Sequence, residues 1–168
     1  MGLMSYQFND LKDLFICELK DLYDAEQQLT EALPLMAQAA TDPQLRQAFE
    51  DHFRQTQTHI ARLEQVFRGI NCEPEREACP AMKGIVKEGN DMISAKGDCS
   101  VRDAGLIAAA QRAEHYEIAG YGTVRTFARQ LGRGDLASVL QMTLDEEGDT
   151  DKKLTAIAES SINQMAQA

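Results

Sequence analysis

Four long stretches of helical periodicity, joined by a short, a long and a second short connector, restrict this chain to very few folds. The first stretch runs from about Asn9 to Ala40, with Pro34 as a candidate bend inside it. The Thr41-Asp42-Pro43 step closes it and opens the second, Pro43 being tolerated in a first turn whose N–H has no intrahelical acceptor. The second reaches about Arg68 and is ended by Gly69 and Asn71. From Ile70 to Gly97 the pattern weakens, broken by Pro74, Pro80, Gly84, Gly89 and Gly97, with room for one short helix around Ala81–Ser94. Ser100 followed by Asp103 reads as a capping box that starts a third long helix ending near Leu131. The Gly132-Arg133-Gly134-Asp135 turn leads into a fourth, which reaches about Met165. No segment reads as a strand.

Short connectors force antiparallel hairpins. The long one can span the bundle and set the second and third helices roughly parallel. The predicted fold is therefore all-α: a ferritin-like four-helix bundle with a long crossover containing a short additional helix. Residues 1–168 suit a single domain.

The chemistry lies on the inward stripes. In the first helix Phe15, Leu19, Leu22, Leu29 and Leu33 keep one face apolar, and Glu26 interrupts them. The second stripe is Leu45, Phe49, His52, Thr56, His59, Leu63 and Val66, and the third carries Glu114, Glu117 and Tyr121 between Ala110 and Val124. The fourth carries Thr143, Glu147 and Thr150 between Leu140 and Leu154, with Asp151 one turn from Glu147. Counted from the turns at about 1.5 Å per residue, these groups fall at similar heights, with His52 about one and a half turns away.

Like-charged carboxylates in a dry core repel and lose hydration, unless a cation neutralises them. Carboxylates with one or two imidazoles form a ligand set for iron or manganese, one or two ions per chain. The candidate ligands are Glu26, His52, His59, Glu114, Glu117, Glu147 and Asp151. Bland roles compete with each of them. Glu146 rivals Glu147, Asp151 has Lys152 and Lys153 beside it, and either histidine can be an ordinary core residue. His115 points away from the stripe. Tyr23, Tyr116 and Tyr121 are explained as well by packing as by a place at the site.

A formal charge of −10, from 27 acidic and 17 basic residues, argues against nucleic acid as a partner. No apolar run is long enough to cross a membrane, and the N-terminus lacks the pattern of a secretory signal. Met1-Gly2 fits a myristoylation signal poorly, because Tyr6 stands where Ser or Thr is required. Cys17, Cys72, Cys79 and Cys99 are widely spaced without a Cys-x-x-Cys pair, which fits free thiols and a cytoplasmic location.

Four blocks together resemble the YciE/YciF family of bacterial ferritin-like proteins: LKDLYDAEQQLTEAL at 19–33, LRQAFEDHFRQTQTHIARLEQVF at 45–67, RDAGLIAAAQRAEHYEIAGYGTVRTFARQLG at 102–132 and LDEEGDTDKKLTAIA at 144–158. AAAQRAEHYEIAGYG is the most specific of these segments. The resemblance implies a ferritin-like fold, a homodimer and a stress-associated role in the bacterial cytoplasm. In the wider ferritin-like group, a metal pair is held by a lone Glu from each of two helices and a Glu-x-x-His pair from each of the others. Glu26 matches the first lone Glu. The third helix instead has Glu114-x-x-Glu117, Thr56 stands three before His59, and Thr150 stands three after Glu147. The expected function is metal binding with oxidation chemistry toward dioxygen or peroxide, served by an external redox partner. The alternative is a non-enzymatic structural or protein-interaction bundle without a functional metal site.

Overall fold

In the computed structural model, which describes residues 7–167, the periodic stretches become α1 (Leu11–Ala39), α2 (Pro43–Gly69), α4 (Cys99–Gln130) and α5 (Gly134–Ile157). The crossover carries α3 (Pro80–Ile93), and a π-helical turn, Ala158–Ile162, joins α5 to the short α6 (Asn163–Met165). No strand occurs among the described residues, and α1 continues through Pro34. The expectation drawn from Met1, Gly2 and Tyr6 lies outside the described residues.

Aspartates start three of the four long helices. The Asp10 carboxylate accepts from Asp13 N at the head of α1, and Asp42 accepts from Gln44 N and Leu45 N at the head of α2. At α4 the expected Ser100/Asp103 capping box is replaced: Asp98 is the cap and accepts from Ser100 N and Val101 N. Asp103 is buried and accepts instead from Thr41 N, Thr41 Oγ1 and Asp42 N across the bundle. Two helices end in Schellman motifs. Asn71, at φ 54°, ends α2, with Cys72 N bonded to Phe67 O; Gly132, at φ 73°, ends α4, with Arg133 N bonded to Ala128 O. Gly69 is therefore the last residue of α2 and not its breaker; a Cβ there would meet Leu136 Cδ2 at 2.7 Å.

Two contacts fix the topology. The Asp103 bonds tie the start of α4 to the α1–α2 turn, and Arg133 Nη1 donates to Gly69 O at 2.5 Å, tying the α4–α5 turn to the end of α2. Helices α2 and α4 consequently run in the same direction, while α1 packs on α2 and α4, and α5 on α4 and α2, as antiparallel neighbours. The crossover rests on α1 and α4. Its entry strap is held by buried Asp24, which accepts from Arg76 Nε and Cys79 N, each at 2.8 Å. Cys79, a free thiol like the other three cysteines, accepts from Met82 N at the head of α3.

The core is divided. One apolar cluster, including Leu29, Leu33, Phe49, Leu106 and Leu154, fills the end nearer the α1–α2 turn. Another, including Phe15, Leu19, Leu63, Val124 and Leu140, fills the opposite end. Between them lies a layer of buried polar side chains contributed by all four long helices. No helix among the described residues is long and apolar enough to cross a membrane.

Candidate metal centre

Helical spacing places the polar layer. His52, Thr56 and His59 lie four and three residues apart on α2, so one face presents all three, and Glu114 and Glu117 share a face of α4 in the same way. Glu26 enters from α1 and Glu147 from α5. All seven are buried, and Glu26, His59, Glu117 and Glu147 are 0% exposed.

Two groups of ligand atoms result, each with all its atoms within 4.8 Å of one another: His52, Glu114, Glu117 and Glu147 in one, and Glu26, His59 and Glu147 in the other. His52 Nε2 lies 3.1 Å from Glu114 Oε1 and 4.0 Å from Glu147 Oε2. His59 Nδ1 lies 2.9 Å from Glu147 Oε1 and 3.3 Å from Glu26 Oε1. Glu147 thus turns one oxygen to each histidine and belongs to both groups. The offset expected for His52 is accommodated because the site extends along the bundle axis: His52 serves the group of Glu114, and His59, two turns on, serves that of Glu26.

Six of the seven residues expected from the sequence therefore come together. Asp151 does not join them. Its Oδ1 accepts from Gln111 Nε2 at 2.9 Å and lies 3.4 Å from Nε2 of the exposed His115. The neighbouring lysines pair elsewhere, Lys152 with Asp149 and Lys153 with Asp51.

The electrostatics of the metal-free cluster follow from burial and crowding. Burial alone would lower both imidazoles, yet Glu114 and Glu147 raise His52 to about 9, and Glu147 and Glu26 raise His59 to about 11. Burial pushes Glu114 up to about 8 and carries Glu117 well above the usual carboxylate range, with the neighbouring carboxylates adding to it. Glu147 goes the other way: burial opposes its charge, but His59 and His52 hold it below its ordinary value.

The surroundings hold one carboxylate, Glu146, that the stripes do not predict. Glu146 Oε2 lies 2.8 Å from His59 Nε2, and the Arg62 guanidinium grips both Glu146 oxygens at 2.7 and 2.8 Å. The adjacent pair Glu146-Glu147 is the sequence signal: one carboxylate faces the core and the other the α2–α5 seam. Tyr121 Oη donates to Glu26 Oε1 at 2.5 Å, which restrains that carboxylate. Tyr116, beside Glu117 in sequence, turns away from it to bond Asp21 and lies 3.1 Å from Cys79 Sγ. A polar depression of about 610 Å³ opens over the seam, with Arg62 and Glu146 in its wall. An apolar cavity of about 20 Å³ beneath α3 touches Glu114 from the opposite side, between Leu33, Met36 and Val86.

The donor set fits a metal. Glu26 Oε2, Glu114 Oε2, both oxygens of Glu117 and of Glu147, both nitrogens of His52 and His59 Nδ1 are buried without a hydrogen-bond partner among the described residues. The nitrogens approach carboxylate oxygens at ion-pair distance but without hydrogen-bond alignment. So many unsatisfied acceptors in a dry layer are costly unless a cation neutralises them, and carboxylate oxygen with imidazole nitrogen is a set that suits divalent first-row metals.

A family described as a domain of unknown function (DUF892) matches residues 10–167. Protein YciF of Escherichia coli K12 is 46% identical over 158 residues, which cover 94% of this chain and 95% of YciF. The crystal structure of that protein, described as a stress protein, superimposes with a TM-score of 0.89, covering 93% of this chain and 99% of its own. YcfI of Rhodopseudomonas palustris gives 0.87 at 40% identity, covering 91% and 98%. A structure of ferritin-like, diiron-carboxylate proteins from Bacillus anthracis gives 0.65 at 16% identity over 90% of this chain and 99% of that one, a likeness of fold alone.

Proposed function

The chain belongs to the DUF892 family of YciE/YciF-like ferritin-like proteins, and on that footing we propose that it is a stress-associated metalloprotein holding two iron or manganese ions in the central layer. The single observation that carries this reading is the sharing of Glu147. One buried carboxylate offers an oxygen to each of two ligand groups, and neither oxygen has a hydrogen-bond partner among the described residues. His52, Glu114 and Glu117 would hold one ion with Glu147, and Glu26 and His59 the other.

When bound, such a metal pair supplies redox chemistry toward dioxygen or peroxide. The chain's own residues hold and shield that pair. Apolar clusters at both ends of the layer keep bulk water away, Tyr121 restrains Glu26, and Glu146 fixes His59. The homodimer and the external redox partner implied by the family resemblance belong to the same proposal.

Anaerobic Fe(II) titration of metal-free protein, with metal counted per chain, tests it. Two equivalents in the parent, lost in a Glu26→Ala/Glu114→Ala variant that keeps its helix content, are the expected result. No specific uptake, or uptake indifferent to the substitutions, sinks the metal centre. The histidine–carboxylate contacts favour the second reading in that event: a non-enzymatic bundle whose polar layer is neutralised by its own imidazolium groups.

A further inference from the structure

Thr56 Oγ1 is buried and has no hydrogen-bond partner among the described residues, and the residue is 0% exposed. A threonine inside a helix ordinarily meets its need by bonding a carbonyl of the preceding turn, and this chain follows that habit elsewhere. Thr30 donates to Gln27 O, Thr58 to Arg54 O, Thr123 to Ala119 O and Thr126 to Gly122 O, at 2.7 to 3.3 Å. The other two threonines of the polar layer are also engaged, Thr143 with Arg62 and Thr150 with Gln55. Thr56 alone among these is left without a partner.

Its position gives that vacancy a meaning. Thr56 stands between His52 and His59 on the same face of α2, so its hydroxyl shares the layer into which both imidazoles project. A hydroxyl is both donor and acceptor, and burying one without a partner is unfavourable, whereas valine has the same shape and no polar atom. A solvent molecule would need several polar partners to remain there. The polar atoms grouped on this face are the carboxylate oxygens and imidazole nitrogens of the two ligand groups.

We propose that the Thr56 hydroxyl is the protein's hydrogen-bonding partner for a small anionic ligand of the hydroxide or azide class, bound at the metal centre between His52 and His59. The inference rests on the metal-centre reading. The hydroxyl holds no metal itself; it orients the exchangeable ligand and discriminates between ligands by their ability to hydrogen-bond.

Cobalt(II)-loaded protein tests it, with cobalt counted per chain and azide binding followed by the change in the cobalt absorption bands. The parent is expected to take up two cobalt ions and to bind azide saturably. Thr56→Val should keep the cobalt count and helix content while binding azide about tenfold more weakly. Thr56→Ser, which restores the hydroxyl, should return the affinity to within about twofold of the parent. Unchanged azide affinity in the valine variant overturns the proposal and leaves the metal centre standing, as does a parent that binds cobalt but not azide. Loss of cobalt in the valine variant overturns it too, by making Thr56 a ligand or a structural residue. A parent that takes up no cobalt defeats the metal-centre reading itself, and this inference falls with it.

Discussion

His59 Nε2 lies 2.8 Å from Glu146 Oε2, so the imidazole meets a carboxylate on each of its nitrogens. Glu146 is held as an anion, first by the hydrogen bonds from Arg62, and an anion can only accept. Nε2 must then carry a proton, and Nδ1 is the nitrogen left to face Glu26 and Glu147. Outer carboxylates of this kind set the tautomer and orientation of a histidine ligand, and their loss weakens metal binding about 10–100-fold. Glu146→Ala is therefore expected to lower metal affinity by that factor while leaving the count per chain and the helix content unchanged. Competitive titration against a chelator of known affinity measures it; parental affinity would show that His59 does not depend on Glu146.

The sharing of Glu147 makes a prediction about stoichiometry. Glu147→Ala removes an oxygen from both ligand groups and should abolish both equivalents. Glu26→Ala damages only the His59 group and Glu114→Ala only the His52 group, so each should lose one equivalent. Metal analysis after gel filtration distinguishes the three variants. Equal losses in all of them would mean that the ions bind as one cooperative unit or that the division into two groups is wrong.

The metal-free protein should become less stable as pH rises between about 5 and 9. The carboxylates around His52 and His59 outweigh burial and raise them from 6.5 to about 9 and about 11, so their contribution is complete below 6.5 and lost as pH climbs through those values. Burial raises Glu114 from 4.5 to about 8, which again favours the folded state at low pH and ceases to do so by the upper value. Glu147, whose carboxylate the histidines hold below 4.5, acts in the opposite sense but only in more acidic solution. Metal must displace these protons, so the stabilisation gained on loading should grow over the same interval. Urea melts of both forms at several pH values test both slopes, and metal-free stability that rises with pH would contradict the protonation pattern.

The architecture was legible because its determinants are local and repeated. Four long periodic stretches and the contrast between short and long connectors suffice to order the helices, and polar residues on otherwise apolar stripes mark the layer where Glu26, His52, His59, Glu114, Glu117 and Glu147 meet. What escaped depends on tertiary contact. A stripe does not show that Glu146, a single residue from Glu147, turns to Arg62 and His59. Asp151 stands one turn from Glu147, yet Gln111 holds its carboxylate outside the cluster. Ser100 with Asp103 is the cap the sequence suggests for α4, but Thr41, far away in sequence, engages Asp103 and leaves the cap to Asp98.

That engagement has a measurable consequence. Asp103 is 1% exposed and accepts from Thr41 N, Thr41 Oγ1 at 2.6 Å and Asp42 N at 2.8 Å, joining the α1–α2 turn to α4. Hydrogen bonds to a charged group contribute about 1.5–3 kcal/mol, and removing the acceptor strands donors in a part-buried turn. Asp103→Ala should therefore cost about 3 kcal/mol in urea melts of the metal-free protein. A simple helix cap would cost about 1 kcal/mol. Thr41→Val removes only the hydroxyl bond, and it should cost much less once Asp103 is already alanine, because the two side chains share one interaction. The metal count should be unaffected, since the turn lies beyond the apolar cluster that closes that end of the polar layer. A loss no larger than a cap's, or strictly additive effects of the two substitutions, would mean that the α1–α2 turn is held to α4 by packing and not by this carboxylate.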